Sequence, residues 1–292
     1  MKGYAGDLLK AVIPAAGMGT RFLPLTKVQP KEMLPVVDKP VIQYVVEEAV
    51  RAGIKDIIIV TGKEKRAIED HFDSSPELER LLTERGKGEY LQKVREISSL
   101  AEIHYIRQKH PKGLGDAVYC ARHHVGNESF AVMLGDTINI SSVPVVKQLM
   151  DIHKETASSV IAIEKVRKEK IKDYGIIKGK QIAKGLFDIE KMVEKPSVAE
   201  APSNLGITGT YILTPGIFDA IEKTEADGKG EIQLTDALSV LKQSEKIYGY
   251  VFEGKRYDIG DMYLWMKVNI ELTLKSSKYG SRLRREMGEY KQ

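Results

Sequence analysis

The first half of the chain alternates short apolar runs with segments in which apolar residues recur at helical spacing. Apolar runs without polar alternation predict strands that are buried on both faces. The predicted strands are residues 10–15, 56–60, 102–106, 130–134 and 158–163. The segments with helical spacing lie between these strands. The predicted helices are residues 41–50, 67–72, 76–94, 116–125 and 144–154.

This alternation of strand and helix predicts an α/β fold. Short links between the elements favour a Rossmann-like, mostly parallel (mixed) sheet with helices on both faces. In such sheets ligands gather beyond the carboxyl ends of the strands. Gly17, Gln108 and Asp136 each follow a predicted strand, so we expect them to line one crevice.

The alternation of strands and helices ends after about residue 165, where predicted strands are joined by polar links. The predicted strands in this part are residues 174–178, 188–194, 206–213 and 248–253. Helices are predicted at residues 231–242 and 262–274, and the last of these has a broad apolar surface. We interpret residues 1–292 as one domain with a small inserted lobe.

Composition adds limits on the class of protein. Of the 292 residues, 42% are hydrophobic and 29% are charged, which excludes a collagen, a coiled coil and a wholly disordered chain. The net charge is only +4 and the charges are interspersed. The densest basic cluster, Arg282, Arg284 and Arg285, is short enough to be a solvated helix face. We therefore expect no nucleic-acid partner.

The cysteine count and the apolar runs predict the compartment. Cys120 is the single cysteine, so no intramolecular disulfide or cysteine-based metal site can form. No apolar run approaches the roughly 20 residues that a membrane span requires. Asp7 and Lys10 interrupt the N-terminal region where a signal peptide would be apolar. These features predict a cytoplasmic protein without a membrane partner.

The histidines carry no metal-binding pattern in the sequence. The chain has six of them, and they are not spaced as metal ligands are. His123 and His124 are adjacent, so on a helix their side chains point apart. We therefore expect neither of them to bind a metal.

A glycine-rich turn follows the first predicted strand, with the sequence Ala-Ala-Gly-Met-Gly-Thr-Arg over residues 15–21. Glycines let backbone N–H groups approach phosphates closely. Phe22 stands where a dinucleotide-binding fingerprint has its third glycine, and no Walker Gly-Lys-Ser/Thr follows. Arg21 and Lys31 flank the turn, and two cations there suit a ligand with several phosphates. An ordinary tight turn is the alternative for the glycines alone.

Together with further motifs, this turn resembles the signature of the sugar-1-phosphate nucleotidyltransferases. Within that family, the chain is similar to the bacterial UTP–glucose-1-phosphate uridylyltransferases from about residue 8 to residue 270. The motifs that carry the resemblance are Pro-Lys-Glu-Met-Leu-Pro (30–35), Lys-Gly-Leu-Gly (112–115), Val-Glu-Lys-Pro (193–196), Ala-Pro-Ser-Asn-Leu (201–205) and Glu-Ile-Gln-Leu-Thr-Asp (231–236).

The resemblance implies a nucleotidyltransferase fold and a defined reaction. UMP would pass from UTP to α-D-glucose 1-phosphate, giving UDP-glucose and pyrophosphate, with Mg²⁺ as cofactor. Residues of about 8–165 would hold the nucleotide and residues of about 166–260 the sugar phosphate. Residues 261–292 would form a C-terminal helical segment. Family members often self-associate, which implies a homo-oligomer, either a dimer or a tetramer.

The resemblance also implies which residues bind the nucleotide. The group comprises backbone of the glycine turn and side chains near the base: Ala15, Ala16, Gly17, Gly19, Glu32, Gln108 and Gly113. A carboxylate or an amide at the base edge could select uracil. The alternatives are surface positions for Glu32 and Gln108 and an ordinary turn for Gly113.

A second implied group handles phosphates and the sugar. Arg21 and Lys31 would hold the triphosphate and the departing pyrophosphate. Lys195 would bind the phosphate of glucose 1-phosphate and Glu194 the sugar hydroxyls, while Gly175 would leave room for the ring. Solvated surface charges, and a plain strand glycine at Gly175, are the alternatives.

For Mg²⁺ the resemblance implies two ligands, Asp136 and Asp258, and carboxylate oxygens suit that ion. A helix cap and a turn residue are the respective alternatives. The chain departs from many relatives in having Thr137 where they carry a second acid and Asp116 where they carry histidine. Asp236 is expected to be structural.

Three other functions stay open from the sequence. The first is the same chemistry with another nucleotide or hexose 1-phosphate, for example with dTTP. The second is a non-catalytic protein that binds sugar nucleotides, although Asp136, Asp258, Lys31 and Lys195 are all present. The third is a dinucleotide oxidoreductase, which the missing third glycine disfavours.

Overall fold

The structure, a computed structural model, describes residues 10–289 and places a nine-stranded sheet at their centre. The strands are β1 Lys10–Ala15, β2 Pro35–Val36, β3 Lys39–Pro40, β4 Asp56–Thr61, β5 Glu102–Arg107, β6 Phe130–Met133, β7 Thr137–Ile140, β8 Ser159–Lys165, β9 Gly175–Ala183, β10 Leu186–Glu194, β11 Leu205–Leu213, β12 Ile247–Val251 and β13 Lys255–Asp258.

Helices cover both faces of this sheet. They are α1 Val41–Arg51, α2 Arg66–Phe72, α3 Pro76–Glu84, α4 Gly88–Ser98, α5 Gly113–Cys120, α6 Arg122–Val125, α7 Val145–Thr156, α8 Gly216–Glu222, α9 Leu234–Leu241, α10 Met262–Lys275 and α11 Gly280–Glu289. Short 3-10 helices occur at Thr20–Phe22, Leu25–Lys27, Lys31–Met33 and Lys168–Asp173. None of the helices described between residues 10 and 289 is both long and apolar enough to cross a membrane.

The strand order of the sheet is β5-β4-β1-β6-β11-β8-β12-β10-β9. The first four strands are parallel, as the strand–helix alternation predicts. Strand β11 runs antiparallel to both of its neighbours, β6 and β8, and β10 runs antiparallel to β12 and β9. The predicted mixed α/β sheet with helices on both faces is confirmed, and its parallel character is concentrated in the first half of the chain.

The strands whose apolar residues do not alternate with polar ones are buried on both faces, because the sheet lies between two layers of helices. On β4, Ile58 and Val60 belong to the core beneath α5, α8 and α9, whereas Ile57 and Ile59 belong to the core beneath α1 and α7. All four side chains are fully buried. Because both of its faces are buried, the sheet is held in place, and the functional loops project from its edge.

Two helix predictions need correction. Residues 76–94 form two helices, because Gly86 adopts a left-handed φ of +63° after α3. The Lys87 N–H donates to the carbonyl of Leu82 at 2.9 Å, and the Gly86 N–H donates to the carbonyl of Thr83 at 3.1 Å. These two hydrogen bonds form the Schellman motif that ends a helix. The predicted helix 116–125 begins earlier, at Gly113, and is divided at Ala121.

A small sheet outside the main one was absent from the sequence prediction and matters for the site. Strands β7 and β13 pair antiparallel, with Asp258 opposite Thr137. The N–H of Ile259 also donates to the carbonyl of Asp136 at 3.0 Å. This pairing joins two segments that are more than a hundred residues apart in the sequence and places Asp136 beside Asp258.

Candidate active site

The glycine turn after β1 has a defined shape. Gly19 has a φ of +64°, a conformation that disfavours a side chain. The Thr26 hydroxyl donates to the Gly19 carbonyl at 2.7 Å, and a Cβ on Gly19 would lie 3.3 Å from Thr26 Cγ2. Gly17 is exposed at the tip of the turn. The turn therefore leaves the backbone of Ala16 and Gly17 open toward a neighbouring cleft.

A cleft of about 310 Å³ lies beyond the carboxyl ends of β1, β5 and β6. Of the residues proposed for nucleotide, phosphate and metal, seven line it: Ala16, Gly17, Lys31, Glu32, Gln108, Gly113 and Asp136. Ala15 instead ends β1 with its side chain in the core, and Gly19 lies behind the turn. The structure thus brings Gly17, Gln108 and Asp136 together, as their positions after strands predict.

Glu32 is a buried charge in this cleft. Its side chain is 1% exposed, and its Oε2 accepts a hydrogen bond from Lys65 Nζ at 2.8 Å. Burial raises the pKa of Glu32, although the ammonium groups of Lys65 and Lys31 oppose that rise. The alternative of a surface position for Glu32 is wrong. Sequence reasoning missed Lys65, although it follows the end of β4 and the strand-end rule applies to it as well.

Gln108 is also buried, which rules out the surface alternative for this residue. Its Nε2 donates to Asp116 Oδ2 at 2.6 Å and to the Gly113 carbonyl at 3.2 Å. Asp116, one of the departures from the family pattern, therefore orients the amide. A side chain held in this way presents a fixed edge to the cleft.

Gly113 is required for two reasons. Its φ is +93°, and a Cβ there would lie 2.7 Å from the carbonyl oxygen of Ile232. The Ile232 N–H donates to the Lys112 carbonyl at 2.7 Å, and the Gly115 N–H donates to the Ile232 carbonyl at 2.8 Å. These bonds join the motif at residues 112–115 to the motif at residues 231–236.

Lys31 and Asp136 form an ion pair at the mouth of the cleft, with Nζ 2.6 Å from Oδ2. Burial by itself would raise the pKa of Asp136, but the Lys31 ammonium and its hydrogen bond hold that pKa below the ordinary value. Burial would likewise lower the pKa of Lys31, yet Asp136 and Glu32 raise it. Both side chains are therefore charged at neutral pH.

Asp258 lies beside this pair. Burial and the negative charge of Asp136 raise the pKa of Asp258, and Arg256 Nη1 is 3.6 Å from its Oδ2. Asp258 ends β13 and Asp136 lies in the turn before β7, so neither residue is a helix cap. Two neighbouring, partly buried carboxylates offer oxygen donors, and this donor set fits a divalent cation such as Mg²⁺.

Arg21 lies apart from the 310 Å³ cleft. It is exposed on the 3-10 helix Thr20–Phe22 and lines a neighbouring cavity of about 490 Å³, together with Asp258 and Gly260. Its Nη1 is 3.5 Å from the position of a Cβ on Gly260. The guanidinium is therefore close enough to Asp136 and Asp258 to lower the pKa of each carboxyl, although burial outweighs this for Asp258.

Of the residues expected to bind the sugar phosphate, Glu194 and Lys195 line a third cavity, of about 390 Å³, whereas Gly175 is buried beside it and does not line it. Lys195 has a φ of +42°, and its Nζ is 2.8 Å from Glu194 Oε1. Gly175 pairs with Glu194 across β9 and β10. A Cβ on Gly175 would lie 2.7 Å from Thr235 Oγ1 and 3.1 Å from Glu194 Oε2, so these two side chains occupy the space beside it.

Acidic groups surround this third cavity. Asp227, Glu231 and Asp236 all line it. Burial, together with the charges of Glu194 and Asp227, raises the pKa of Asp236. Glu231 also lines the 310 Å³ cleft, so the two cavities share a wall.

The fold and these clefts define a nucleotidyl transferase. The chain belongs to the nucleotidyl transferase family, which matches residues 10–273. It is similar to the UTP–glucose-1-phosphate uridylyltransferase of Bacillus subtilis (strain 168), with 54% identity over 94% of each chain. The UTP–glucose-1-phosphate uridylyltransferase 1 of Staphylococcus saprophyticus is 53% identical over 91% of this chain and 93% of that one.

Solved structures agree with these relatives. A UDP-glucose pyrophosphorylase complexed with UDP-glucose is 43% identical and covers 92% of this chain and 100% of its own, with a TM-score of 0.85. A UTP-bound UGPase from Acinetobacter baumannii is 36% identical and covers 97% and 99% of the two chains, with a TM-score of 0.90. The dinucleotide oxidoreductase considered from the sequence is therefore wrong.

Proposed function

We propose that this protein transfers UMP from UTP to α-D-glucose 1-phosphate, giving UDP-glucose and pyrophosphate. The observation that carries the proposal is the close similarity, over nearly the whole chain, to relatives named for that reaction. The clefts at the strand ends supply suitable chemistry, because they combine a glycine turn, cations and paired carboxylates in a confined space.

The reaction requires little covalent chemistry from the protein. A phosphate oxygen of glucose 1-phosphate attacks the α-phosphorus of UTP, and pyrophosphate leaves on the opposite side. The nucleophile is already an anion at neutral pH, so no general base is needed. Catalysis then consists of holding two mutually repelling anions in line and neutralising the charge that develops.

We assign the nucleotide to the 310 Å³ cleft. The backbone of Ala16 and Gly17 would approach the nucleotide, and Gln108, held by Asp116, would read the uracil edge. Lys31 would contact the triphosphate and Arg21 the departing pyrophosphate. Glu32, paired with Lys65, would shape the base end of the cleft.

We assign the sugar phosphate to the 390 Å³ cavity. Lys195 would bind the phosphate and Glu194 the sugar hydroxyls. The cavity shares Glu231 with the nucleotide cleft, which supports a shared wall between the two substrates. Lys195 must leave Glu194 to reach the phosphate, and its exposed position leaves it free to do so.

Mg²⁺ is the cofactor we propose, held by Asp136 and Asp258. Both carboxylates are partly buried, and burial together with the negative charge of Asp136 raises the pKa of Asp258. When bound, the ion would neutralise phosphate charge that Lys31 and Arg21 alone leave uncompensated. Calcium-sized sites require more protein oxygen ligands than these two carboxylates supply, whereas Mg²⁺ commonly binds to one or two carboxylates plus phosphates.

We also propose that the protein is a homo-oligomer. Helix α10 contacts its own chain through Val268 and Trp265, while Tyr263, Met266 and Ile270 are exposed on it at helical spacing. Part of the broad apolar surface predicted for this helix thus remains open. Light scattering at micromolar concentration should give a mass above that of one chain, and a monomer would contradict this proposal.

The lone Cys120 favours a reducing, cytoplasmic location.

Substrate choice is tested by measuring pyrophosphate release over a grid of nucleoside triphosphates and sugar 1-phosphates. The highest kcat/KM is expected for UTP with glucose 1-phosphate, and Asp136→Asn protein controls for contaminating activity. A higher value with dTTP or another hexose 1-phosphate would move the proposal to that pair. Binding without turnover of any pair would favour the non-catalytic alternative.

A further inference from the structure

Two histidines and an aspartate lie close together toward the end of the sheet opposite the clefts. Asp56 is the first residue of β4, His104 is the third residue of the neighbouring strand β5, and His124 belongs to α6. The strand register places Asp56 opposite Glu102 and Ile58 opposite His104. Asp56 and His104 therefore project from the same face of the sheet, where α6 lies against it.

Both imidazoles approach one carboxylate oxygen. The Nε2 of His124 is 3.2 Å from Asp56 Oδ1, and the Nε2 of His104 is 3.8 Å from the same atom. The two rings are 4.5 Å apart between centroids. One ligand atom from each of the three residues lies within 4.8 Å of the other two.

His124 and Asp56 share a hydrogen bond at 3.2 Å, and the three ligand atoms also have separations that a metal ion can bridge. Zinc bonds of about 2.0–2.2 Å to nitrogen and oxygen in a tetrahedron place neighbouring ligand atoms about 3.4 Å apart. The two nitrogen-to-oxygen distances fall on either side of that value. Only small rotations of the side chains are needed to centre an ion among the three atoms. The sequence prediction for His124 considered only spacing along the chain, whereas this cluster joins two strands and a helix.

Within residues 10–289 these three side chains make no hydrogen bond or ion pair outside the cluster. The neighbouring Val125 is buried in the core and anchors α6. Lys10 is the register partner of Asp56 on β1, but its ammonium binds Glu128 at 2.9 Å. The carboxylate of Asp56 is thus left to the imidazoles. All three side chains retain access to solvent, with 47% of His104 exposed.

We propose that Asp56, His104 and His124 bind a divalent transition-metal ion of the zinc class. Two neutral imidazole nitrogens and one carboxylate oxygen are preferred ligands of such ions, and water would complete the coordination. The site differs in kind from the pair Asp136 and Asp258, whose oxygen donors suit Mg²⁺. Asp56 is separated along β4 from the nucleotide cleft by five residues at about 3.3 Å each, or roughly 16 Å.

Bound metal would tie the edge strand β5 to β4 and to α6. Because an ion that binds only the folded state stabilises it by mass action, zinc should raise the Tm of the protein. The structure offers a matched control in His123, which is exposed and adjacent to His124 but lies outside the cluster.

The test uses tag-free, full-length protein that has been freed of metal with a chelator and then dialysed. ZnCl₂ is titrated by calorimetry into the wild type, His104→Gln, His124→Gln and His123→Gln, all in excess Mg²⁺ to occupy the oxygen-only site. We expect the Kd of one zinc equivalent to rise at least about tenfold in His104→Gln and His124→Gln, since even loss of an outer partner of a metal ligand costs that much. His123→Gln should match the wild type.

Thermal unfolding gives a second, independent measurement. Zinc should raise the Tm of the wild type and of His123→Gln by equal amounts and should lose most of that effect in His104→Gln. His104 is half exposed, so this substitution leaves the core intact. Unchanged zinc isotherms in both His104→Gln and His124→Gln would show a hydrogen-bonded surface cluster without a metal site. Equal losses in His123→Gln would likewise overturn the proposal.

Discussion

The nucleotide cleft and the sugar-phosphate cavity use charge in different ways. At the nucleotide cleft two ion pairs are shielded from water, Lys65 with the buried Glu32 and Lys31 with Asp136. In the sugar-phosphate cavity Lys195 pairs with its own neighbour Glu194, and its side chain is 54% exposed. Shielded charges interact strongly and stay in place, whereas exposed charges are screened by water.

This difference suits the two proposed substrates. A triphosphate carries dense charge, and preorganised cations in a confined cleft neutralise it without a further cost of reorganisation. A sugar phosphate must enter, bind and leave as a product bound to UMP, and an exposed lysine at an open cavity suits that exchange. We therefore expect large effects for changes in the first region and smaller effects in the second.

The largest effect is expected from breaking the buried pair of Glu32 and Lys65. Lys65→Met leaves the Glu32 carboxylate buried and unpaired, which should cost about 3–5 kcal/mol of the free energy of unfolding. Urea unfolding at neutral pH measures it. Glu32→Gln in the same chain should recover most of the loss. If Lys65→Met alone cost less than about 1 kcal/mol, the cleft would not depend on shielded pairing.

Next in size is the loss of the Asp136 carboxylate. Asp136→Asn should lower kcat at least about a hundredfold, or about 2.7 kcal/mol, the scale of removing one key electrostatic group. Asp258→Asn should also lower it. Steady-state rates over a range of Mg²⁺ concentrations measure both effects. Asp151→Asn, an exposed acid on α7, is the matched control, and near-normal rates in Asp136→Asn would refute the assignment.

Removal of the metal tests whether turnover depends on an ion held by Asp136 and Asp258. Treatment with EDTA should abolish turnover, and added Mg²⁺ should restore it, because the substrate charges and the carboxylate pair then lack their counter-ion. The Mg²⁺ concentration for half-maximal rate should rise in Asp258→Asn and stay unchanged in Asp151→Asn. Full activity in EDTA would contradict a metal at this site.

The smallest effect is expected outside both regions, where α10 contacts β13. Glu271 accepts hydrogen bonds from Lys255 and from the Tyr257 hydroxyl. The hydrogen bond from Lys255 contributes most to lowering the pKa of Glu271 to about 2. A lowered acid pKa in the folded state stabilises the protein above the ordinary value near 4.5, and that stability is lost as pH falls toward 2.

Glu271→Gln should therefore reduce stability at pH 7 by less than about 1 kcal/mol, the range of exposed ion pairs. The difference from the wild type should shrink steadily below pH 4.5. Urea unfolding at pH 7, 5 and 3.5 measures this trend. A difference that grew toward acid pH would mean that the sign of the pKa shift is wrong.

Much of the nucleotide cleft could be predicted because its parts are local in the sequence. The glycine turn follows β1, and Gln108 and Asp136 follow strands that their apolar runs predict. A parallel sheet aligns such strand ends at one edge, so distant residues meet without any knowledge of individual contacts.

Other parts depended on contacts that no local pattern encodes. Asp258 reaches Asp136 through the short β7–β13 pair, whose strands have only four residues each. The cluster of His104, His124 and Asp56 forms only because of the register between β4 and β5 and the position at which α6 packs on the sheet. Register across strands is set by packing, which a single sequence does not display.

The contrast between the two regions is tested most directly by separate calorimetric titrations of UTP and of glucose 1-phosphate into Lys31→Ala and Lys195→Ala. A charge-assisted contact contributes roughly 1.5–3 kcal/mol, or about ten- to a hundredfold in Kd. Lys31→Ala should weaken UTP binding near the upper end of that range. Lys195→Ala should weaken glucose 1-phosphate binding near the lower end. Each variant should bind the other substrate almost normally. Loss of UTP affinity in Lys195→Ala with glucose 1-phosphate affinity retained would contradict the assignment of the two regions.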